Sequence, residues 1–252
     1  MSPERLDDFP VVASRNGRPS PNGALVAVCG VCGGAGATTL SYLLARSAAR
    51  AGDGPALVCD LGGIRSALAE FAGIESPSTM PTLANVVAGQ EAPPAGAFAH
   101  AGDGLRVLAR KPRFEQPIDP AGLVTVLQHA REAHRLTIID CGVPGREVEE
   151  IVLAAATHVL WVLPASAAGA RRSRNLLDLF PVDSARQEIV VAREEPSVPS
   201  KARTEELAEL AGDRQAPLVL VPYVSDLAED GPEKGLDVAA ISLDAIRGVL
   251  RR

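Results

Sequence analysis

With 252 residues, 46% of them hydrophobic and only 3% aromatic, the chain is long enough to bury one sizeable core, and a second full domain does not fit. A net charge of −6 excludes a surface that attracts nucleic acid over its whole extent, and leaves room only for a local basic patch. No apolar run reaches the ~20 residues that a membrane span needs, and the N-terminus carries no signal-peptide core, so the expected location is the cytoplasm, with at most peripheral membrane association.

Residues 1–23 are rich in Pro, Ser, Arg and Asp without periodicity and read as a flexible tail, which leaves 24–252 as a single domain. The apolar run 25–29 reads as a buried strand, the glycine-rich segment Gly33-Gly34-Ala35-Gly36-Ala37-Thr38-Thr39 follows it, and Leu40, Leu43, Leu44 and Ser47 then recur at helical spacing in a helix over 38–51. Further strands are expected at 56–59, 105–108, 136–139, 158–163, 188–191 and 218–221, and helices at 120–135, 147–155, 170–180 and 204–211. Between them, 77–104 contains several Pro, Gly and Ala residues and reads as a surface excursion with a short helix near 83–87. A last helix is expected to begin at Ser242 as N-cap, with Leu243, Ile246, Val249 and Leu250 on the side that packs on the sheet and Arg247, Arg251 and Arg252 opposite.

Strands alternating with helices imply parallel pairing through right-handed crossovers. The expected fold is α/β, a doubly wound and mostly parallel sheet with helices on both faces, whose ligands bind beyond the carboxyl ends of the strands.

A strand, a glycine loop and a helix in that order make an anion site from backbone alone. Glycine permits the tight turns that let several N–H groups converge at the positive end of the helix. The general P-loop pattern departs here at two places: Val31 stands where its first glycine belongs and Ala37 where its phosphate-gripping lysine belongs.

The segment resembles the deviant P-loop of the MinD/ParA family, which reads Lys-Gly-Gly-x-Gly-Lys-Thr-Thr, with Cys32 at the position of the signature lysine. The resemblance extends over roughly 24–252: 56–60 is similar to the family's second strand, 136–140 to its Walker B strand, and 218–223 to its late Val-Pro-Tyr segment. The Gly-Gly-x-Gly-Ala-Thr-Thr variant is most similar to the CpaE/TadZ branch, which positions Flp-type pili. The resemblance implies ATP or ADP with Mg²⁺ as ligand, held by Gly33, Gly34, Ala35, Gly36, Ala37, Thr38 and Thr39. It implies Thr38 and Asp140 as metal-site residues, with Asp60 as the first acid of the family's Asp-x-Asp element, whose second position is Gly62 here. At the point where the family places a base-reading Asn, this chain has Ala192.

A charge-assisted hydrogen bond contributes about 1.5 to 3 kcal/mol, so the loss of the loop lysine should weaken nucleotide binding by roughly ten-fold to a hundred-fold. A cation acting on the transition state contributes about 10³ to 10⁵ in rate, by analogy with arginine fingers, and Cys32 cannot supply it. Arg65, Arg146 and Arg171 are the arginines considered as substitutes.

The first reading is therefore a positioning or scaffold protein that binds ATP and hydrolyses it slowly or not at all, acting as a homodimer with protein partners of a positioning or secretion system. An alternative is a slow, partner-stimulated ATPase in DNA segregation or septum placement. A second alternative uses Cys29, Cys32, Cys59 and Cys141, all at or just past strand ends, as a metal or redox site. Arg171, Arg172 and Arg174 cluster at a helix start and read as a solvated face, while His100, His129, His134 and His158 show no ligand or triad spacing.

Overall fold

The computed structural model describes residues 23–62, 66–90, 92–110, 116–194, 201–223 and 227–251. The tail expected over 1–23 lies outside them except for Gly23, which is buried and whose N–H donates to the Arg131 carbonyl. Side chains are not described at 201–204, 227–230 and 232.

In chain order the elements are β1 (Ala24–Gly30), α1 (Ala37–Arg50), β2 (Ala56–Asp60), α2 (Leu68–Ala72), α3 (Met80–Val87), β3 (Ala99–His100), β4 (Leu105–Leu108) and α4 (Pro120–Ala133). They continue as β5 (Leu136–Gly142), α5 (Glu147–Ala155), β6 (His158–Pro164), α6 (Ala167–Leu177), β7 (Gln187–Arg193), α7 (Lys201–Asp213), β8 (Leu218–Val221) and α8 (Leu227–Leu250). The strands form one eight-stranded sheet in the order β3-β4-β2-β5-β1-β6-β7-β8, parallel except for the β3–β4 pair. The doubly wound, mostly parallel α/β fold is thus observed.

Strand alternation divides the core into two layers. Leu25, Ala27 and Cys29 of β1 face a layer filled from α3, α4, α5, α6 and α7, whereas Val26 and Val28 face one filled from α1, α2 and α8. Because both faces are covered, the strands are apolar at consecutive positions, as in Val159, Leu160, Trp161, Val162 and Leu163, all at most 1% exposed.

Several element boundaries differ from expectation for local chemical reasons. Helix α6 begins three residues early because Ser166 caps it, its hydroxyl accepting from Gly169 N–H at 3.1 Å. Asp119 caps α4 in the same way, accepting from Gly122 N–H at 2.7 Å, with Pro120 as the first helical residue. Segment 77–104 is not a surface excursion: Met80, Leu83, Ala84 and Val87 of α3 and Phe98 are core residues, and β3 pairs with β4 at Ala99↔Val107. Its helix starts at Met80 because Thr79 supplies the cap.

Ser242 is not an N-cap. The apolar stripe of α8 starts earlier, at Leu236 and Ala239, and continues through Leu243 and Ile246 onto the sheet, so the helix runs through Ser242, whose hydroxyl donates to the Leu220 carbonyl at 2.7 Å. Arg247 is not on a solvated side either. It is held against Asp53 by two hydrogen bonds of 3.0 and 2.8 Å, and Arg251 also pairs with Asp53. Among the described residues no helix is long and apolar enough to cross a membrane.

Candidate functional site

The strand ends converge where β1 runs between β5 and β6, with α1 leaving from the same edge. Such a crevice at the carboxyl ends of parallel strands is where this architecture binds ligands. The glycine segment forms its floor. Val31 N–H bonds the Val162 carbonyl and Ala35 N–H the Cys32 carbonyl, which pins the start of the loop to β6 and curls it back on itself.

Gly34 and Gly36 have φ of 77° and 99°, conformations that cost other residues strain, and a Cβ at Gly33 or Gly34 would meet nothing within 4 Å. Gly36 is the N-cap of α1 and offers no side-chain cap, and the first turn holds no acidic residue. Among the described residues the opening N–H groups of α1 therefore have no partner, and they are the donors an anion would take. The Ala37 methyl is buried, 3.5 Å from a Cβ position built on Gly30. Cys32 is only partly buried, against the α3–α7 layer.

Two carboxyl groups stand beside the loop. Asp60 ends β2 and is in register with Asp140 of β5. The Asp140 side chain is fully buried; its Oδ1 accepts from Gly142 N–H at 3.2 Å, and its Oδ2 has no hydrogen-bond partner. Burial pushes its pKa up to about 6, opposed by the nearby Thr38 hydroxyl and by Gly142 N–H. Asp60 is pushed up to about 7, first by burial and then by the Asp140 charge, against Ser66, the Gly62 N–H at 2.8 Å and Arg146.

A buried carboxylate oxygen lacking a partner is costly, and a hard cation would relieve it. Thr38 Oγ1 and Asp140 are the oxygen donors that could hold Mg²⁺ beside an anion on the loop, with Asp60 adjacent. A side chain at Gly62 would start 3.5 Å from Asp60 Oδ1 and 4.0 Å from Asp140 Oδ2, so this position faces both carboxyl groups and contributes none.

Of the arginines considered as substitutes for the missing lysine, Arg65 lies outside the described residues and Arg171 is exposed on α6. Arg146 is engaged at its own site, donating to the Leu61 carbonyl at 2.7 Å and to Glu149 at 2.7 Å. The Arg171–Arg172–Arg174 cluster is a solvated helix face, with Arg174 paired to Glu209.

The arginine at the loop is one that sequence reasoning passed over. Arg193 ends β7, and a Cβ at Gly36 would lie 3.2 Å from its Cδ and 3.7 Å from Nη1. Ala192, at the position of the base-reading Asn that the resemblance implies, faces the opposite core layer. The signal was the strand's own alternation: Val191 and Arg193 share the face that carries α1 and α8, and Ala192 does not.

The cysteines do not assemble a metal centre. Among the described residues no group of three or more His, Cys, Asp or Glu side chains is placed to hold a metal ion, and all four thiols are free. Cys141 is held well above the ordinary thiol range by a hydrogen bond with Cys29 and by burial, and Cys59 is raised by burial, so neither presents a thiolate. His134 and His158 are buried structural residues, His134 Nδ1 lying 3.0 Å from the Ala130 carbonyl.

The sequence matches no protein-family model and no curated protein. Solved structures do resemble the fold. A MinC:MinD cell division protein complex of Aquifex aeolicus aligns with a TM-score of 0.70 at 17% identity, covering 91% of this chain and 96% of that one. A ParA family ATPase from Chlorobium tepidum TLS aligns at 0.68 with 16% identity, covering 89% and 95%. The septum site-determining protein MinD complexed with Mg-ADP from Pyrococcus horikoshii OT3 aligns at 0.61 with 15% identity, covering 90% and 98%. Over about nine-tenths of its length the chain shares the fold of these MinD and ParA structures.

Proposed function

We propose that this chain is a positioning or scaffold protein of the MinD/ParA type, nearest the CpaE/TadZ branch, which binds ATP or ADP with Mg²⁺ and hydrolyses ATP slowly or not at all. The observation that carries the reading is the loop itself: Gly34 and Gly36 hold the left-handed turns of an anion cradle, and α1 opens onto it uncapped. Backbone donors at Gly33, Gly34, Gly36, Ala37, Thr38 and Thr39 would wrap the phosphates, and Ala35, whose N–H is held by the Cys32 carbonyl, would shape the loop beneath them. Bound Mg²⁺ supplies charge neutralisation between phosphate oxygens; Thr38 and Asp140 would hold it and Asp60 would orient its hydration shell.

What the site lacks supports slow turnover. Neither Cys32 nor Ala37 carries charge, and Gly62 offers no carboxylate to position water. The MinD of P. horikoshii is complexed with Mg-ADP in a structure of this fold, and the A. aeolicus MinD with MinC, which supports a nucleotide as ligand and a protein as partner.

The test is calorimetric titration with MgATP and MgADP alongside a phosphate-release assay. Saturable binding with phosphate release at background level supports the proposal. No heat up to millimolar nucleotide removes nucleotide binding from it, and turnover abolished by Asp140→Ala replaces it with the slow, partner-stimulated ATPase of DNA segregation or septum placement.

A further inference from the structure

We infer that Arg193 supplies the positive charge that the loop itself has lost: its guanidinium, delivered from the end of β7, grips the phosphate-bearing ligand at the N-terminus of α1. The inference rests on the nucleotide-binding reading above and assigns a specific residue to it.

Placement comes first. The strand ends with Arg193 on the α1 side of the sheet, and its side chain lies across Gly36, close enough that any side chain at position 36 would meet it: Cδ at 3.2 Å, Nη1 at 3.7 Å and Nε at 3.8 Å. The groove it enters is lined by Gly36, Thr39, Leu40, Val162, Val221 and Leu243. Among the described residues no acidic side chain lines that groove, and a charge set among such apolar walls meets an anion strongly.

Its lack of a partner comes second. Arg146, Arg174, Arg214 and Arg247 all meet carboxylates, whereas among the described residues no carboxylate pairs with Arg193. Its Nε is buried with no hydrogen-bond partner, and its guanidinium lies 5.8 Å from the Tyr223 ring centroid, a contact that orients the plane without satisfying its donors. Protein interiors rarely keep an unpaired donor beside an uncapped helix start, and an anion at that point would satisfy both at once. Guanidinium suits the task, because its planar fork matches two oxygens of one phosphate. A lysine on the loop grips from within; Arg193 grips from the flank, over Gly36 and Thr39, and leaves Ala37 free to be a buried methyl.

The test compares wild type, Arg193→Leu, Arg193→Lys and the double variant Arg193→Leu/Ala37→Lys in calorimetric titrations with MgADP, inorganic pyrophosphate and adenosine, with thermal melts of each ligand-free protein. Expected for Arg193→Leu is a loss of roughly ten-fold to a hundred-fold in MgADP and pyrophosphate affinity with adenosine unchanged, at an unaltered or higher ligand-free melting temperature. Arg193→Lys should retain most of the affinity, and Ala37→Lys should restore it in the Leu background. Wild-type binding that Arg193→Leu leaves intact overturns the role of Arg193 alone. So does a ligand-free melting temperature that falls in Arg193→Leu and Arg193→Lys alike, which would make the residue a packing element. Wild type that binds none of the three ligands overturns this inference together with the nucleotide reading beneath it.

Discussion

Asp60, the last residue of β2, and Asp140, in register with it on β5, face one site with their carboxyl groups, and each is pushed above the ordinary carboxylate range, to about 7 and about 6. The folded protein therefore binds more protons than the unfolded chain between about pH 4 and pH 7, since unfolded aspartate titrates near ~3.9. The sign follows: the protonated groups fit the fold, so their stabilising effect is complete below about pH 4 and is lost as pH rises through 6 and 7. In metal-free protein the melting temperature should fall between pH 5 and pH 8, by a stability change on the order of 4 kcal/mol for the pair. Asp60→Asn should raise the melting temperature at pH 8 and flatten the slope, because it removes one of the two charges that must share the site. A melting temperature that is flat from pH 5 to 8 in wild type, or a slope that Asp60→Asn leaves unchanged, would show that the two carboxyls do not titrate as a buried pair.

Elements are fastened to one another by a few buried polar contacts, and the largest lies far from the glycine loop. Arg214, just past α7, sends two hydrogen bonds of 2.8 Å to Glu188 of β7, and Trp161 of β6 donates to the same carboxylate at 3.0 Å. Arg214 also reaches the Phe180 carbonyl at 2.7 Å, so one side chain ties α7, β7 and the end of α6 together. Removing one member of a buried pair leaves the other charge uncompensated, a cost of about 3 to 5 kcal/mol. Arg214→Leu should fall near the lower end, because Arg186 lies 3.8 Å from Glu188 and compensates in part. The double variant Glu188→Gln/Arg214→Leu should recover most of the loss, since Gln is neutral and still accepts from Trp161; urea unfolding of the three proteins checks it. At this scale the sequence was readable wherever period and apolar content agree, which is why β1, β4, β6, β8, α1 and α5 fall at or within a residue or so of expectation. It was not readable where a cap set the boundary, as with Ser166, or where a two-residue strand depends on a partner, as β3 depends on β4. The loop and both acids were legible because they lie in one motif each. Arg193 was not, because its meaning depends on β7 lying one strand beyond β6 with its α1 side turned to Gly36, a relation between distant segments that spacing alone does not contain.

The whole molecule closes the glycine loop on one side and leaves it open on the other. Arg193 and the groove between α1 and α8 flank Gly36, while Gly33 and Gly34 border open space, with Cys32 beside them. The resemblance to the MinD/ParA loop implies that a lysine at the Cys32 position would reach a nucleotide in a second subunit and couple dimerisation to ATP. A thiol does not carry that charge, and here it packs against the α3–α7 layer of its own chain. If self-association occurs through this face, nucleotide should have little hold over it. Light scattering should accordingly give the same mass with no ligand, with MgADP and with MgATP, whichever mass that is. Cys32→Lys places an ammonium at the rim, and with the phosphate site occupied it should make the mass larger with MgATP than with MgADP, because only the triphosphate extends to the rim where a second subunit's lysine would meet it. A wild-type mass that already changes with ATP would assign the coupling to another group and would move the protein from a static scaffold to a nucleotide-driven switch. Constant mass in wild type with a nucleotide-dependent mass in Cys32→Lys would show that the fold kept the geometry of the switch and lost only its charge.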